Sequence, residues 1–215
     1  MADNYLENKM QELEHPRPVV RRNHPSLDSL LRRNRSYRGF DPSRIVTRKE
    51  LEEIVAVNCF CASGMNRQTL RFRLVTEEEA GKVLPNLSMA CHLKDEHLPH
   101  PGMEPRAFIV ICSTARENRV VHIDLGIAAQ SMLLKAVEMG LNGIFLLNIY
   151  SSSLKEALGM DMDPIAVIAL GKGAENIFVK PVSAGESLIY YRKDGNHYVP
   201  KLRVEDLILP GGEKE

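Results

Sequence analysis

Four segments of the chain carry the apolar patterns of β-strands. Residues 71–76 (RFRLVT) alternate polar and apolar side chains, which predicts a strand with one buried face. Residues 107–114 (AFIVICST) are almost continuously apolar, as is typical of a central strand covered on both faces. The runs 143–148 (GIFLLN) and 165–171 (IAVIALG) predict two further buried strands. A sheet built on four core strands is therefore expected.

A separate pair of strands is expected near the C-terminus. Residues 187–200 (SLIYYRKDGNHYVP) contain Asp194-Gly195, a dipeptide preferred at the tight turn of a β-hairpin. Four or five helical segments lie among the strands. Together these elements predict an α+β or α/β layered fold.

The helical segments carry recognisable start and stop signals. A short helix is predicted to begin near Ser26 and to break at Gly39, and Thr47 with Glu50 forms the capping box of the next helix. The segment after the first strand is predicted to be helical until Pro85 interrupts it, and SSSLKEALGM predicts another helix between the last two core strands.

The most apolar helix is predicted over residues 124–140 (DLGIAAQSMLLKAVEMG). Its apolar side chains occupy almost every side, and Gly140 followed by Leu141 matches a Schellman stop signal. A helix buried on every side is either threaded under the sheet or shared between two subunits. The second arrangement predicts a dimer, with Ala129 at its interface.

The composition fits one large domain with an N-terminal arm. The chain has 215 residues, of which 44% are apolar, enough to bury a core. A helical stripe of apolar positions in residues 1–14 ends at Pro16 and Pro18. We therefore expect a helical arm over residues 1–25 and a single domain over residues 26–215, including a C-terminal extension.

The charge and cysteine content exclude several classes of protein. Because 28 basic side chains balance 28 acidic ones, the whole molecule has no field that attracts nucleic acid or an anionic membrane. The sequence shows no apolar run of about 18 uncharged residues and no secretory signal, so a cytoplasmic protein without a membrane partner is expected. The Cys59/Cys61 pair and the histidines of the Pro-rich loop 91–105 lack zinc-ligand spacing, which predicts reduced thiols and no metal site.

A local basic segment is the first candidate for chemistry. Residues 15–38 contain seven arginines and one acidic residue, Asp28. A guanidinium group presents a planar fork of donors that suits phosphate oxygens or the polar edge of a flavin. A solvated basic surface is the alternative, but the pattern Arg35-Ser36-Tyr37-Arg38 at the end of a predicted helix favours a ligand site.

Two other segments carry weaker signals. Residues 63–68 offer Ser, Asn and Gln donors and acceptors, which a polar heterocycle such as isoalloxazine or pterin requires, although an ordinary turn has the same composition. Lys201 and Arg203 lie two residues apart, on one side of an extended backbone, as a phosphate clamp or as an edge-strand charge pair. The sequence has no P-loop, dinucleotide-binding, nucleophile-elbow or H-E-x-x-H motif.

In this order, the segments resemble the FMN-dependent nitroreductase family. The match consists of R-S-x-R-x-F at 35–40, S-x-x-N-x-Q at 63–68, a helix of the D-x-G-x-A-x-Q-x-x-L type at 124–141 and P-K-x-R at 200–203. It spans roughly residues 26 to 208. The resemblance implies an α+β three-layer sandwich with a central, mostly antiparallel sheet flanked by helices, and an interlocked homodimer with FMN at its interface.

The resemblance also implies which residues bind the cofactor. The phosphate and the pyrimidine edge would be held by Arg35, Ser36 and Arg38, with Lys201 and Arg203 completing the phosphate site. The isoalloxazine ring would be lined by a loop of the partner subunit, and a backbone N–H would approach flavin N5. The residues implied for these two roles are Ser63, Gly64, Asn66 and Gln68 for the loop, and Leu147 and Asn148 for the backbone donor.

Three places depart from the family pattern. Thr69 and Leu70 stand where a Pro-Trp pair is common, and Asn34 stands where a second arginine is frequent. The pair Leu147-Asn148 lacks the usual glycine. These departures bear on the shape of the substrate pocket more than on the geometry of the cofactor site.

The activity implied by the resemblance is a ping-pong oxidoreduction. NAD(P)H would reduce FMN, and a nitroaromatic, a quinone or a similar small acceptor would then take the electrons; because the cofactor carries the chemistry, no catalytic side chain is expected. One alternative is an arginine-rich nucleic-acid-binding module, which the zero net charge and the 6% aromatic content oppose. Another is a flavin-binding dimer without turnover.

Overall fold

A four-stranded antiparallel sheet forms the centre of the fold in the computed structural model, which describes residues 24–89, 93 and 98–209. Its strands are β1 (Leu70–Val75), β2 (Ala107–Ser113), β3 (Asn142–Leu146) and β4 (Pro164–Gly171), in the order β1-β2-β4-β3. The two most continuously apolar strands, β2 and β4, occupy the interior of the sheet, as the sequence predicts for strands covered on both faces.

Helices cover both faces of this sheet. Alternate residues of β2 and β4 point to opposite sides, so that Ile109 and Ile168 belong to one core and Val110 and Val167 to the other. One helical layer packs on each core. Helices α2 (Arg48–Ala56) and α4 (Arg119–Glu138) pack on the first core, and α3 (Glu77–Val83) and α5 (Ser151–Ala157) pack on the second. Helix α1 (Leu27–Arg33) precedes them in the chain.

The predicted α+β sandwich with an antiparallel central sheet is therefore confirmed. The expected arm over residues 1–25 lies almost entirely outside the described residues, as does much of the loop 91–105.

Several helices begin or end at the residues where the local sequence signals predict. Thr47 and Glu50 form a complete capping box at the start of α2. Gly140 has a φ of 78°, and the Leu141 N–H donates to Ala136 O at 2.8 Å, the long hydrogen bond of a Schellman motif. Short local patterns of this kind require no knowledge of the tertiary fold.

The prediction for α4 was wrong in two respects. The helix begins at Arg119 rather than at Asp124, because the Asn118 side chain accepts hydrogen bonds from the N–H groups of Val120 and Val121 and so caps it earlier. Within one chain the helix is buried on one side only. Ala129 is 3% exposed in the chain's own core, so its assignment to a subunit interface was also wrong.

The outer side of α4 explains why the helix looks apolar all round. Ile123 and Ile127 are 52% and 37% exposed on this side. By length and composition the helix could also cross a membrane, but half of its most apolar stretch is buried inside the domain. Its inner face thus belongs to the protein core, and its outer face presents two isoleucines that the described residues of the same chain do not cover.

A smaller sheet follows the central one along the chain. It contains β5 (Ile177–Val182), β6 (Tyr191–Lys193) and β7 (Asn196–Leu202), in the order β5-β7-β6. The hairpin of β6 and β7 turns at Asp194-Gly195, both with positive φ, as predicted. Strand β5 was not predicted, because Lys180 and Pro181 interrupt its apolar run; as an edge strand parallel to β7 it tolerates both.

Candidate functional site

The segment 35–40 runs in an extended conformation between the central sheet and the loop after β4. Ser36 forms a parallel bridge with Gly143 of β3, and Phe40 forms an antiparallel bridge with Gly173. The glycines permit this approach: a Cβ at Gly143 would lie 2.7 Å from the Ala169 carbonyl oxygen, and a Cβ at Gly173 would overlap the Tyr37 ring. Backbone contacts therefore fix the arginine segment against the sheet.

The Arg38 side chain is buried and held by uncharged groups. It is 7% exposed; its Nε donates to Met89 O at 2.6 Å and its Nη1 to Ser36 O at 3.2 Å. Its guanidinium carbon lies 4.8 Å from the centre of the Tyr190 ring, a cation–π contact. Among the described residues no carboxylate forms an ion pair with this guanidinium.

A cavity of about 350 Å³ opens beside Arg38, between α1, α4, β3 and β7. Three of its lining side chains are cationic, Arg35, Arg38 and Lys201, and none of the described lining residues is acidic. The Arg35 Nη2 donates to Leu31 O at 2.6 Å, whereas its buried Nε has no hydrogen-bond partner among the described residues. Burial lowers the pKa of Arg35 from its ordinary value, so an anion in the cavity would offset the cost of burying this charge.

Behind Arg38, a carboxylate binds its main chain rather than its side chain. Glu175 accepts hydrogen bonds from the N–H of Arg38 and, at 2.9 Å, from the N–H of Gly39. The same carboxylate pairs with Arg192, and the side chains of this pair are 10% and 18% exposed. Glu175 and Arg192 line a second cavity of about 210 Å³ on the far side of the segment.

His197 of β7 lies between the two cavities and lines both. It is 3% exposed, and its ring centre lies 5.4 Å from that of Tyr190. Burial, together with the positive charges of Arg38 and Arg192, lowers the pKa of His197 to about 4. The imidazole is therefore neutral at physiological pH, and the positive charge of the site comes from the arginines and the lysine.

The loop 63–68 lies apart from the cationic cavity. Met65, Asn66 and Gln68 all have positive φ, between 48° and 53°, which is uncommon for residues other than glycine. The Gly64 N–H donates to the Asp124 carboxylate at 2.8 Å, and a Cβ at Gly64 would overlap the Val120 side chain. The loop is thus strained and tied to α4, a combination that recurs at functional sites.

A third, more apolar cavity adjoins this loop. It has a volume of about 410 Å³, and Ser63, Gln68, Thr69 and Asp124 contribute the polar part of its lining near the loop. The buried Thr69 hydroxyl has no hydrogen-bond partner among the described residues. Within the described residues, Thr69 therefore presents an unsatisfied polar group at this cavity.

The structure brings four of the predicted site residues together and leaves seven elsewhere. Arg35, Ser36, Arg38 and Lys201 line one cavity. The loop residues Ser63, Gly64, Asn66 and Gln68 lie outside it in the same chain, and so do Leu147, Asn148 and Arg203. Asn148 accepts a hydrogen bond from Ser88 N through its carbonyl, Leu147 is 63% exposed beyond the end of β3, and Arg203 precedes a short 3₁₀ helix at Val204–Asp206.

Sequence reasoning missed four residues of these environments. The hairpin prediction gave Tyr190 and His197 no role in a site, and Glu175 carries no local signal because the backbone donors that it accepts, at Arg38 and Gly39, are 137 and 136 residues away. Asp124 did give a signal. It is the only acidic residue between Glu117 and Glu138. A carboxylate on an otherwise apolar helix indicates a specific hydrogen-bond partner, which is here the Gly64 N–H.

Comparisons with known proteins give one family. Residues 31–172 match the family model described as Nitroreductase family. A search of curated proteins gave no match.

Solved structures share the fold. A putative nitroreductase in complex with FMN from Desulfovibrio desulfuricans is 20% identical, with a TM-score of 0.61 over 89% of this chain and 100% of that chain. An FMN and NADPH-dependent nitroreductase from Sphigopyxis sp. strain HMH is 18% identical (TM-score 0.56, 70% of this chain and 89% of that one). An FMN-dependent nitroreductase from Clostridium difficile R20291 is 23% identical (TM-score 0.54, 70% and 89%).

Proposed function

Because the chain belongs to the nitroreductase family, we propose that it is an FMN-dependent oxidoreductase whose cationic cavity holds the phosphate end of the cofactor. The observation that carries the proposal is the charge of this cavity. Arg35, Arg38 and Lys201 line it without any described acidic neighbour, and Arg38 is buried with no carboxylate partner in the part of the chain that the structure describes. A desolvated cation of this kind is stabilised by an anion, and guanidinium donors match phosphate oxygens.

The polar groups of the cavity fit such a ligand. The unpartnered Nε of Arg35 and the Lys201 ammonium are donors suited to phosphate oxygens. Ser36 and Gln130 provide a hydroxyl and an amide in the same cavity, suited to the hydroxyl groups of a ribityl chain. Arg203 would add a further charge if the C-terminal segment adjusts on binding.

We propose that the isoalloxazine ring is lined by the loop 63–68 of a second copy of the chain. Two features support a dimer with the loop at its interface. The loop carries Met65, which is 71% exposed, close in sequence to Phe60, which is 91% exposed. The outer face of α4, to which Asp124 ties the loop, is also apolar and exposed at Ile123 and Ile127.

The chemistry would come from the cofactor and the positioning from this chain. When bound, FMN would supply hydride chemistry between NAD(P)H and a nitroaromatic, a quinone or a similar acceptor, the two substrates alternating in one pocket. Arg38 would hold a fixed positive charge close to the cofactor, which favours negative charge developing on the ring. Leu147 and Asn148 would present their backbone at the ring edge, and no side chain of the protein would need to transfer a proton or form a bond.

The proposal is tested by an anaerobic near-UV and visible absorbance spectrum of the purified protein, before and after adding NADPH and then NADH. We expect two flavin bands that bleach with one or both nucleotides. Bands that persist with both nucleotides would indicate a flavin-binding dimer without turnover. A colourless protein that also fails to bind added FMN would contradict the proposal.

The same preparation tests the nucleic-acid alternative. Arg32 is paired with Asp28 and Arg38 is buried, so the arginine segment offers fewer free charges than its sequence suggests. We expect no DNA or RNA affinity that falls steeply with salt, whereas a binding module would show such a dependence.

A further inference from the structure

We propose that Glu175 is a positioning residue for the cationic cavity, which acts on the bound anion through the main chain of Arg38. This inference rests on the proposed function, because it concerns the same FMN site. Glu175 does not line the 350 Å³ cavity, and its carboxylate lies on the other side of the arginine segment. It therefore has no direct contact with a ligand in that cavity.

The contacts of Glu175 converge on one turn of backbone. Its Oε2 accepts the N–H of Arg38 and the N–H of Gly39, and its Oε1 accepts Nη2 of Arg192. The side chain of Glu175 is 10% exposed and separates these donors from the 210 Å³ cavity that it lines. Removing it would leave the N–H groups of Arg38 and Gly39 with water in that cavity as their replacement acceptor, a mobile partner in place of a fixed carboxylate, at the residue whose side chain faces the cationic cavity.

The surrounding contacts make this backbone position restrictive. The Gly39 carbonyl accepts a hydrogen bond from Ala174 N at 3.0 Å, and the Phe40 N–H donates to Met103 O at 2.9 Å. The segment is thus clamped against the loop that carries Glu175. Because the Arg38 side chain stacks on Tyr190 and bonds to Met89 O, a shift of its Cα would displace the guanidinium from both.

Because Arg192 pairs with Glu175, the carboxylate can hold the backbone of Arg38 without neutralising the positive charge of the cavity. A buried carboxylate near Arg38 would otherwise reduce the positive potential available to an anion. Glu175 instead directs one oxygen to Arg192 and the other to neutral backbone donors. The guanidinium of Arg38 is left to the cavity, which is the arrangement that an anion site requires.

A double-mutant cycle tests the inference. The variants are Glu175→Ala, Arg38→Ala and the pair, with the FMN dissociation constant of each measured by titrating apoprotein and following flavin fluorescence. We expect Glu175→Ala to raise the dissociation constant about tenfold or more in the wild-type background, and less than about twofold in the Arg38→Ala background. Glu79→Ala is the matched control, since Glu79 lies on α3 and is a partly buried partner of Arg73. This variant should change the FMN dissociation constant less than about twofold.

The conservative variant Glu175→Gln separates positioning from folding. Its amide oxygen can still accept the two backbone N–H groups, so we expect it to recover most of the FMN affinity lost in Glu175→Ala. If the alanine variant fails to fold, Glu175→Asp takes its place, because the shorter side chain keeps the charge beside Arg192 but withdraws the carboxylate from the two N–H groups, and FMN affinity should still fall in the wild-type background only. An unchanged constant in Glu175→Ala, or an equal loss in both Arg38 backgrounds, would overturn the inference while leaving the proposed function intact; wild-type protein that binds no FMN would overturn both.

Discussion

The Arg38 guanidinium is held by groups that carry no negative charge, namely two carbonyl oxygens and an aromatic ring. Carbonyl oxygens satisfy the directional donors, and the ring face stabilises the cation, but neither neutralises it. A buried arginine usually has a carboxylate partner because desolvating an unpaired charge is costly. At this site the cost is compensated when an anion enters the cavity.

Replacing Arg38 should therefore weaken anion binding more than it weakens the fold. We expect Arg38→Ala to reduce FMN binding by about 1.5–3 kcal/mol, the size of a charge-assisted hydrogen bond. The free energy of unfolding of the apoprotein should fall less, since the variant also removes a buried charge that no described carboxylate neutralises. Fluorescence titration and urea unfolding measure the two quantities, and an unchanged FMN affinity would remove Arg38 from the site.

His197 predicts a pH dependence of stability in mildly acidic solution. Its pKa is about 4 in the folded protein and 6.5 for an ordinary histidine, so between these values the unfolded chain binds a proton that the folded chain does not. Stability should fall as pH drops from about 6.5, by up to about 1.4 kcal/mol per pH unit. The lowered carboxylate pKa values contribute only at lower pH.

The variant His197→Gln isolates this contribution. Urea unfolding of apoprotein at pH 7 and pH 5 should show a larger loss of stability in the wild type than in the variant, because only the wild type has this titrating group. If both lose the same amount, the buried imidazole is not the cause.

At the scale of elements, the sequence predicted what depends on neighbours along the chain. The capping box at Thr47, the Schellman stop at Gly140 and the Asp194-Gly195 turn were all found because each is a short local pattern. The early start of α4 at Asn118 and the edge strand β5 were missed. The Asn118 cap is a local pattern that was overlooked, because its hydrogen bonds go to Val120 and Val121. The proline-containing strand takes its structure from its pairing with β7, which the local pattern does not contain.

The candidate site divides in the same way. The R-S-x-R pattern identified Arg35, Ser36 and Arg38, which do line one cavity. Glu175 and His197 were missed because residues about 140 and 160 positions further along the chain meet Arg38 only after folding. The family resemblance supplied ligand roles but no information about such supporting contacts.

A buried hydrogen bond links α4 to the loop 63–68. Asp124 is 5% exposed and holds the Gly64 N–H at 2.8 Å, while three residues of the loop adopt positive φ. We expect Asp124→Ala to lower the free energy of unfolding by about 1–3 kcal/mol and to speed hydrogen exchange of the Gly64 amide, since that donor loses its buried acceptor.

Asp124→Asn is the matched control, because its amide oxygen can still accept the bond and should keep most of the protection. Exchange measured by NMR on apoprotein makes the result independent of any ligand. Unchanged protection of Gly64 in the alanine variant would show that other contacts hold the loop.

At the scale of the whole molecule, zero net charge conceals an uneven distribution. Cations without described acidic neighbours line one cavity, while exposed ion pairs such as Arg32 with Asp28 and Arg48 with Glu52 balance each other on the surface. Such surface pairs contribute little to stability. The net charge therefore excludes long-range attraction to polyanions, but it says nothing about a local site for one small anion.

The exposed apolar face of α4 gives the last prediction, on the assembly. Ile123 and Ile127 lie one turn apart on the outer face, 52% and 37% exposed, so a charged residue there should leave the monomer's core unchanged. If this face is buried between two copies, Ile123→Glu combined with Ile127→Glu should yield a folded monomer, because two unpaired carboxylates would be desolvated in the interface.

Light scattering after size-exclusion chromatography measures the mass, and far-UV circular dichroism verifies the fold. Ile45→Glu, at a position 49% exposed before α2, controls for the general effect of a surface charge. Ala129→Glu would not serve, because Ala129 lies in the core and its replacement would disrupt folding itself. Since the proposed cofactor site takes its ring-lining loop from the partner, the double variant should lose FMN binding together with the dimer. A folded double variant that remains dimeric and retains FMN would place the interface on another surface.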